Sequence, residues 1–119
     1  MPNPYGAPEV SVQEVERKRQ AGEQFIWLDV RERDEVANVQ IDDGRIAVVP
    51  LSELAQQQLD ALPAAAKDQS AEIITYCHHG MRSAQVTAWL KQQGWTNVTS
   101  MAGGIDAWAH EIDSSVGFY

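Results

Sequence analysis

Four short apolar runs, spaced by amphipathic stretches, organise the chain. Phe25-Ile26-Trp27-Leu28 is continuous and apolar and ends at Asp29, the pattern of a strand buried on both faces. Arg45-Ile46-Ala47-Val48-Val49-Pro50 predicts a second strand, closed by its proline. Glu72-Ile73-Ile74-Thr75-Tyr76 predicts a third, rich in β-branched residues that suit a pleated surface, and Asn97-Val98-Thr99 a short fourth. Between them lie helical patterns. Ser11-Val12-Gln13-Glu14 has capping-box spacing, with a hydroxyl and a carboxylate placed to satisfy free amides, and predicts a helix to about Ala21 that stops at Gly22. Glu32 to about Asn38 predicts a brief helix. Ser52 opens another, with Leu54, Leu59 and Leu62 as its buried residues and Pro63 as its stop. From Ser83 to about Gln93, Val86, Trp89 and Leu90 fall at i, i+3, i+4, and Gly94 caps the end. Gly103-Gly104 predicts a tight turn before a last helix, Ile105 to Ile112.

Strands alternating with helices predict an α/β fold: an open parallel sheet of four to five short strands with helices on both faces. The 119 residues fit one domain, with residues 1–8 and 114–119 expected as flexible ends. Ligands in such sheets bind beyond the carboxyl ends of the strands. Cys77 stands at such an end, between the third strand and its helix.

Charge and cysteine content narrow the partners. A net charge of −8 opposes non-specific nucleic-acid binding, which requires clustered cations to neutralise phosphates. The Arg17-Lys18-Arg19 run reads as a solvated helix face. No apolar run approaches the ~18 residues of a membrane span, so no membrane partner is expected. The first residues show no basic segment followed by an apolar one. The lone Cys77 excludes an internal disulfide and suits a reducing compartment, so a cytoplasmic setting is expected.

The chemistry-bearing stretch is Tyr76-Cys77-His78-His79-Gly80-Met81-Arg82-Ser83. A free thiol is mostly protonated at neutral pH, and a helix N-terminus with its unpaired N–H groups favours the thiolate. A loop curled around the sulfur adds further backbone donors, and Arg82 with the imidazoles adds positive potential. Such a sulfur is a nucleophile in a cradle for anions. An inert strand-end cysteine is the plain alternative. A metal site on Cys77, His78 and His79 fits poorly, because adjacent residues seldom point at one ion and zinc takes more widely spaced ligands. No metal and no cofactor is therefore expected. A cysteine protease needs a base with an orienting partner, and His110 has none evident in the sequence.

Three segments resemble the rhodanese family. Cys77 to Arg82 is similar to its active-site loop, a cysteine, four residues and a closing arginine. Leu28-Asp29-Val30-Arg31-Glu32 is similar to its Asp-x-Arg strand end, and Met101-Ala102-Gly103-Gly104-Ile105-Asp106-Ala107-Trp108 to its closing Gly-Gly signature. The chain departs from the family at Asp43-Gly44-Arg45-Ile46-Ala47-Val48, which lacks the His and second Gly usual there, and at His78. The resemblance implies a single-domain sulfurtransferase. In that reading Cys77 takes a sulfane sulfur from a small anionic donor such as thiosulfate and passes it, as a persulfide, to cyanide or a thiol. His78, His79, Gly80, Met81 and Arg82 would bind the donor, Ser83, Asp29, Gly103 and Gly104 would support the loop, and a sulfur-carrying protein would be a compatible partner. The rivals are a rhodanese-like phosphatase or arsenate reductase and a non-catalytic binding module. Rhodanese-like phosphatases resemble a loop one residue longer, whose arginine would fall where Ser83 stands.

Overall fold

The computed structural model describes residues 3–119. Five strands, β1 (Glu9–Val10), β2 (Ile26–Asp29), β3 (Ile46–Val48), β4 (Ile73–Tyr76) and β5 (Val98–Met101), form one sheet in the order β1-β5-β4-β2-β3. Every strand pairing is parallel. Five α-helices connect them: α1 (Val12–Gln20), α2 (Arg33–Asn38), α3 (Leu51–Gln57), α4 (Met81–Gln92) and α5 (Gly104–Glu111). The α/β fold class expected from the alternation is the one observed.

The period-two alternation along each strand divides the core. Leu28, Ile73 and Val98 point to one face, where they meet Leu54, Val86, Leu90 and Trp95. Trp27, Ile74 and Tyr76 point to the other and meet Val12, Val15, Ile105 and Trp108. Trp27 stacks edge-on against Tyr76 and Trp108, with ring centroids 5.7 and 5.4 Å away. All four residues of β4 are buried, as its central place requires. Each such aliphatic or aromatic side chain contributes about 1.5–3 kcal/mol by leaving water.

That central place also positions the chemistry. With β2 on one side and β5 on the other, the residue after β4 is flanked by the carboxyl ends of both neighbours. Asp29 closes β2 and Met101 closes β5, so three loops converge on Cys77.

Several local expectations are corrected. The helix expected from Ser83 starts at Met81, because Gly80 adopts φ +104° and caps it, leaving Ser83 buried in the first turn. The Ser52 helix starts one residue earlier, behind Pro50, and ends at Gln57 before Pro63, because Gln58 turns to φ +53° and the chain tightens into a 3₁₀ turn. Leu54 and Leu62 are buried, whereas Leu59 is only half-buried. Ser11 caps α1 by accepting from the Glu14 N–H at 3.1 Å, but the Glu14 carboxylate turns to Arg17 instead of completing the box. β1 was outside the expected strands, since two residues carry no periodicity.

Of the expected flexible start, residues 1 and 2 lie outside the described residues. Asn3 Oδ1 accepts from the N–H groups of Tyr5 and Ala7, and the Pro8 carbonyl accepts from Ser100 N. At the other end Ser114–Val116 forms a 3₁₀ turn, and Tyr119 lies against the Cys77 loop.

Candidate active site

Cys77 leaves β4 on the face shared with Ile73, and its side chain is 1% exposed. Two backbone donors converge on its sulfur: the N–H of Gly80 at 3.1 Å and of Ser83 at 3.4 Å. Both belong to the start of α4, a twelve-residue helix whose free N–H groups carry the positive end of its dipole. The thiol also lies 3.5 Å from Ser83 Oγ. Ser83 Oγ in turn meets Ser100 Oγ at 2.7 Å and the Gly80 carbonyl at 3.3 Å. Beneath it, Thr75 and Thr87 share a hydrogen bond of 2.9 Å. A satisfied polar track thus runs under the sulfur within an otherwise apolar layer.

The first two carbonyls of the loop point the other way, into a second helix start. Ile105 N donates to the Cys77 carbonyl at 2.8 Å, and Asp106 N donates to the His78 carbonyl at 3.0 Å. Gly103 and Gly104, at φ +77° and +62°, make this approach possible. A Cβ at Gly104 would collide with both of those carbonyl oxygens. With those two carbonyls held by α5, the loop brings the Gly80 N–H onto the sulfur.

Two arginines flank this frame, each already paired. Arg31 and Asp29 are both fully buried, and Arg31 forks onto Asp29 with Nη2–Oδ2 2.7 Å and Nε–Oδ1 3.0 Å. Asp29 therefore serves Arg31 and the turn after β2, through the Arg31 N–H at 3.1 Å. Arg82 forks onto Glu35 of α2 at 2.6 and 2.8 Å, with the Arg side chain 31% and the Glu side chain 20% exposed. That bidentate bond holds the Glu35 carboxyl down at about 2 against the opposing effect of burial, with the Glu32 N–H and Tyr119 hydroxyl adding to it.

His78 is half-buried between two rings. Tyr119 stacks on it at 3.8 Å with planes 12° apart, and His79 lies 3.8 Å away on a tilt. Burial first, and its neighbour His79 second, push the His78 imidazole below its usual range. Exposed His79 and His110 both lie near Asp106, at 3.7 and 3.6 Å. Met81 is 51% exposed at the start of α4. Ligand atoms of His78, His79 and Asp106 lie within 4.8 Å of one another. Reading the sequence missed Glu35, Ser100, Asp106 and Tyr119. For Glu35 the available signal was an acidic residue three positions into a helix that follows a strand end. For Tyr119 there was none.

In sum of chemistry, a buried sulfur faces the amides of one helix start while a second helix start holds the loop's shape. The arrangement can stabilise a negative sulfur and the charge of one further atom attached to it. The family model for the rhodanese-like domain matches residues 11–111, nearly the whole of this frame. The chain belongs to the rhodanese-like domain family.

Its relatives within that rhodanese-like family include sulfurtransferases. A sulfurtransferase of Allochromatium vinosum is 29% identical over 101 residues, covering 85% of this chain and 87% of that one. The human single-domain sulfurtransferase TSTD1 superposes with a TM-score of 0.72 at 27% identity, covering 89% of this chain and 98% of that one. The tRNA uridine(34) hydroxylase of Leptospira interrogans is 32% identical over 91 residues, which are 76% of this chain and 24% of that protein. The chain thus spans about a quarter of that relative and most of the other two. Among the described residues, no helix is long and apolar enough to cross a membrane.

Proposed function

We propose that the chain is a sulfurtransferase that carries sulfane sulfur as a persulfide on Cys77. The observation that carries the reading is the pair of helix-start amides, Gly80 N and Ser83 N, aimed at the sulfur. In the first half-reaction the Cys77 thiolate attacks the outer sulfur of a donor. The new S–S bond forms as the donor's own bond to that sulfur breaks, and the electron pair leaves with the donor's remainder, as sulfite from thiosulfate or a thiolate from a persulfide. In the second half-reaction cyanide or a thiolate attacks the terminal sulfur of the enzyme persulfide, and the Cys77 thiolate returns. Loop amides favour the anionic persulfide as they favour the thiolate, because both place negative charge in the same cradle. His78, His79, Gly80, Met81 and Arg82, the residues that follow Cys77, are the ones assigned to donor binding. A sulfur-carrying protein is a compatible acceptor, and a cytoplasmic setting suits the free thiol.

Two half-reactions through one covalent intermediate give ping-pong kinetics. With a sulfane-sulfur donor and cyanide, the wild-type protein is expected to form thiocyanate with parallel double-reciprocal lines, and Cys77→Ser none. Thiocyanate formation by Cys77→Ser at the wild-type rate would overturn the reading, as would steady phosphate release from an aryl phosphate without sulfur transfer.

A further inference from the structure

We propose that Glu35 sets the donor preference of the Cys77 loop, turning it away from dianions such as thiosulfate and toward persulfides of thiols. The proposal rests on the sulfurtransferase reading and names the substrate class for the same site. Arg82 is the residue of the loop suited to attract an anion, and both of its terminal nitrogens are occupied by Glu35 at 2.6 and 2.8 Å. The carboxylate is fixed from two further sides. The Glu32 N–H donates to Oε2 at 3.0 Å, and the Tyr119 hydroxyl donates to Oε1 at 3.0 Å while accepting from Arg31 Nη1 at 3.2 Å. Glu35 therefore cannot swing aside for an incoming anion without breaking contacts to α2 and to Tyr119.

The other basic side chains around the loop have acidic neighbours too. Arg31 is spent on Asp29, and His79 and His110 both sit near Asp106. Half-buried His78 stacks under Tyr119, and burial pushes its imidazole below its usual range, against its charged form. Every arginine of the chain pairs with a carboxylate, and the net charge is −8. A donor bearing two negative charges thus meets amides but no uncompensated arginine, within a field that repels it. A thiol persulfide brings at most one charge on its sulfurs. Exposed Met81 and the Tyr119 ring over His78 offer apolar and aromatic surface to its carbon body. The step balances without a co-reactant. The Cys77 thiolate bonds to the terminal sulfur of R–S–SH, the donor's S–S bond breaks, and the electron pair leaves as R–S⁻, giving Cys77–S–SH with no net oxidation. Glu35 acts here through the charge of Arg82, and Tyr119 positions Glu35.

The test compares kcat/KM for thiosulfate and for mercaptoethanol persulfide, whose carbon body is uncharged, with cyanide as acceptor. The wild type is expected to favour the persulfide by about tenfold or more, and Glu35→Gln to move the ratio toward thiosulfate by about tenfold. Tyr119→Phe should move it the same way by about two- to threefold. The wild-type rate with thiosulfate should not fall as ionic strength rises, whereas a site steering anions by free positive charge loses rate with salt. A wild type that prefers thiosulfate, a folded Glu35→Gln with an unchanged ratio, or a steep fall of the wild-type thiosulfate rate with salt each overturns the proposal. Should Glu35→Gln not fold, the wild-type salt dependence and Tyr119→Phe decide it. If neither donor places sulfur on Cys77, the sulfurtransferase reading itself fails and this proposal with it. Loading by both donors with the wrong preference sinks this proposal alone.

Discussion

α4 and α5 both begin at a left-handed glycine, Gly80 and Gly103, and both direct their first amides into the same loop. They do opposite things with them. The α4 start gives its N–H groups to the sulfur of Cys77, and the α5 start gives its N–H groups to the carbonyls of Cys77 and His78. One helix start forms the cradle, and the other holds the peptide planes so that the cradle stays open. The same elementary feature, an unpaired helix N-terminus, thus supplies donors to a sulfur in one place and support to a loop in the other. The two roles predict different consequences when each is broken.

The largest effect is expected at the supporting helix. Gly104→Ala would drive a methyl group into two carbonyl oxygens at a left-handed backbone position, costing on the order of 3 kcal/mol. Urea unfolding should show the loss, and sulfur loading of Cys77 should fall with it. At the cradle, Ser83→Ala keeps the helix but leaves Ser100 Oγ without its 2.7 Å partner. It should cost about 1–3 kcal/mol. Its distinguishing result is slower loading of Cys77 in the protein that remains folded, measured by stopped-flow consumption of donor.

The Arg82–Glu35 pair ties the cradle helix to α2, and acid should break it. Its sign is fixed by the lowered Glu35 carboxyl, usually at 4.5 and here at about 2. The stabilisation is complete above pH 4.5 and is lost as pH falls toward about 2. Allowing for partial solvent exposure, it amounts to about 1–2 kcal/mol. Unfolding midpoints of wild type and Glu35→Gln should therefore converge through that window, and a constant gap would contradict the assignment. The smallest effect belongs to a helix start remote from the loop. Ser11→Ala should cost about 0.5–1 kcal/mol through the lost 3.1 Å cap bond, with no change in sulfur transfer.

These effects also mark what the amino-acid sequence made legible. The β4–loop–α4 unit was readable because a continuous apolar run, a glycine and an i, i+3, i+4 pattern sit side by side, and each is a local signal. The start of α4 was misjudged by two residues for a local reason as well. Ser83 has the chemistry of a cap, but Gly80 reaches the left-handed conformation first and takes that place. Glu35 and Tyr119 were invisible for a different reason. Glu35 meets Arg82 across 47 residues and Tyr119 meets Arg31 across 88, and no periodicity encodes such pairings. Asp29 and Arg31 stand out in the sequence as a motif, yet only the fold reveals that they satisfy each other in a fully buried fork.

The most direct measurement is the intact mass of the protein after exposure to a sulfane-sulfur donor and removal of excess reagent, followed by peptide mapping. A gain of one sulfur atom confined to Cys77 is expected, reversed by cyanide with the appearance of thiocyanate and absent in Cys77→Ser. An unchanged mass with every donor tried, or a gain that persists when Cys77 is replaced, would contradict it.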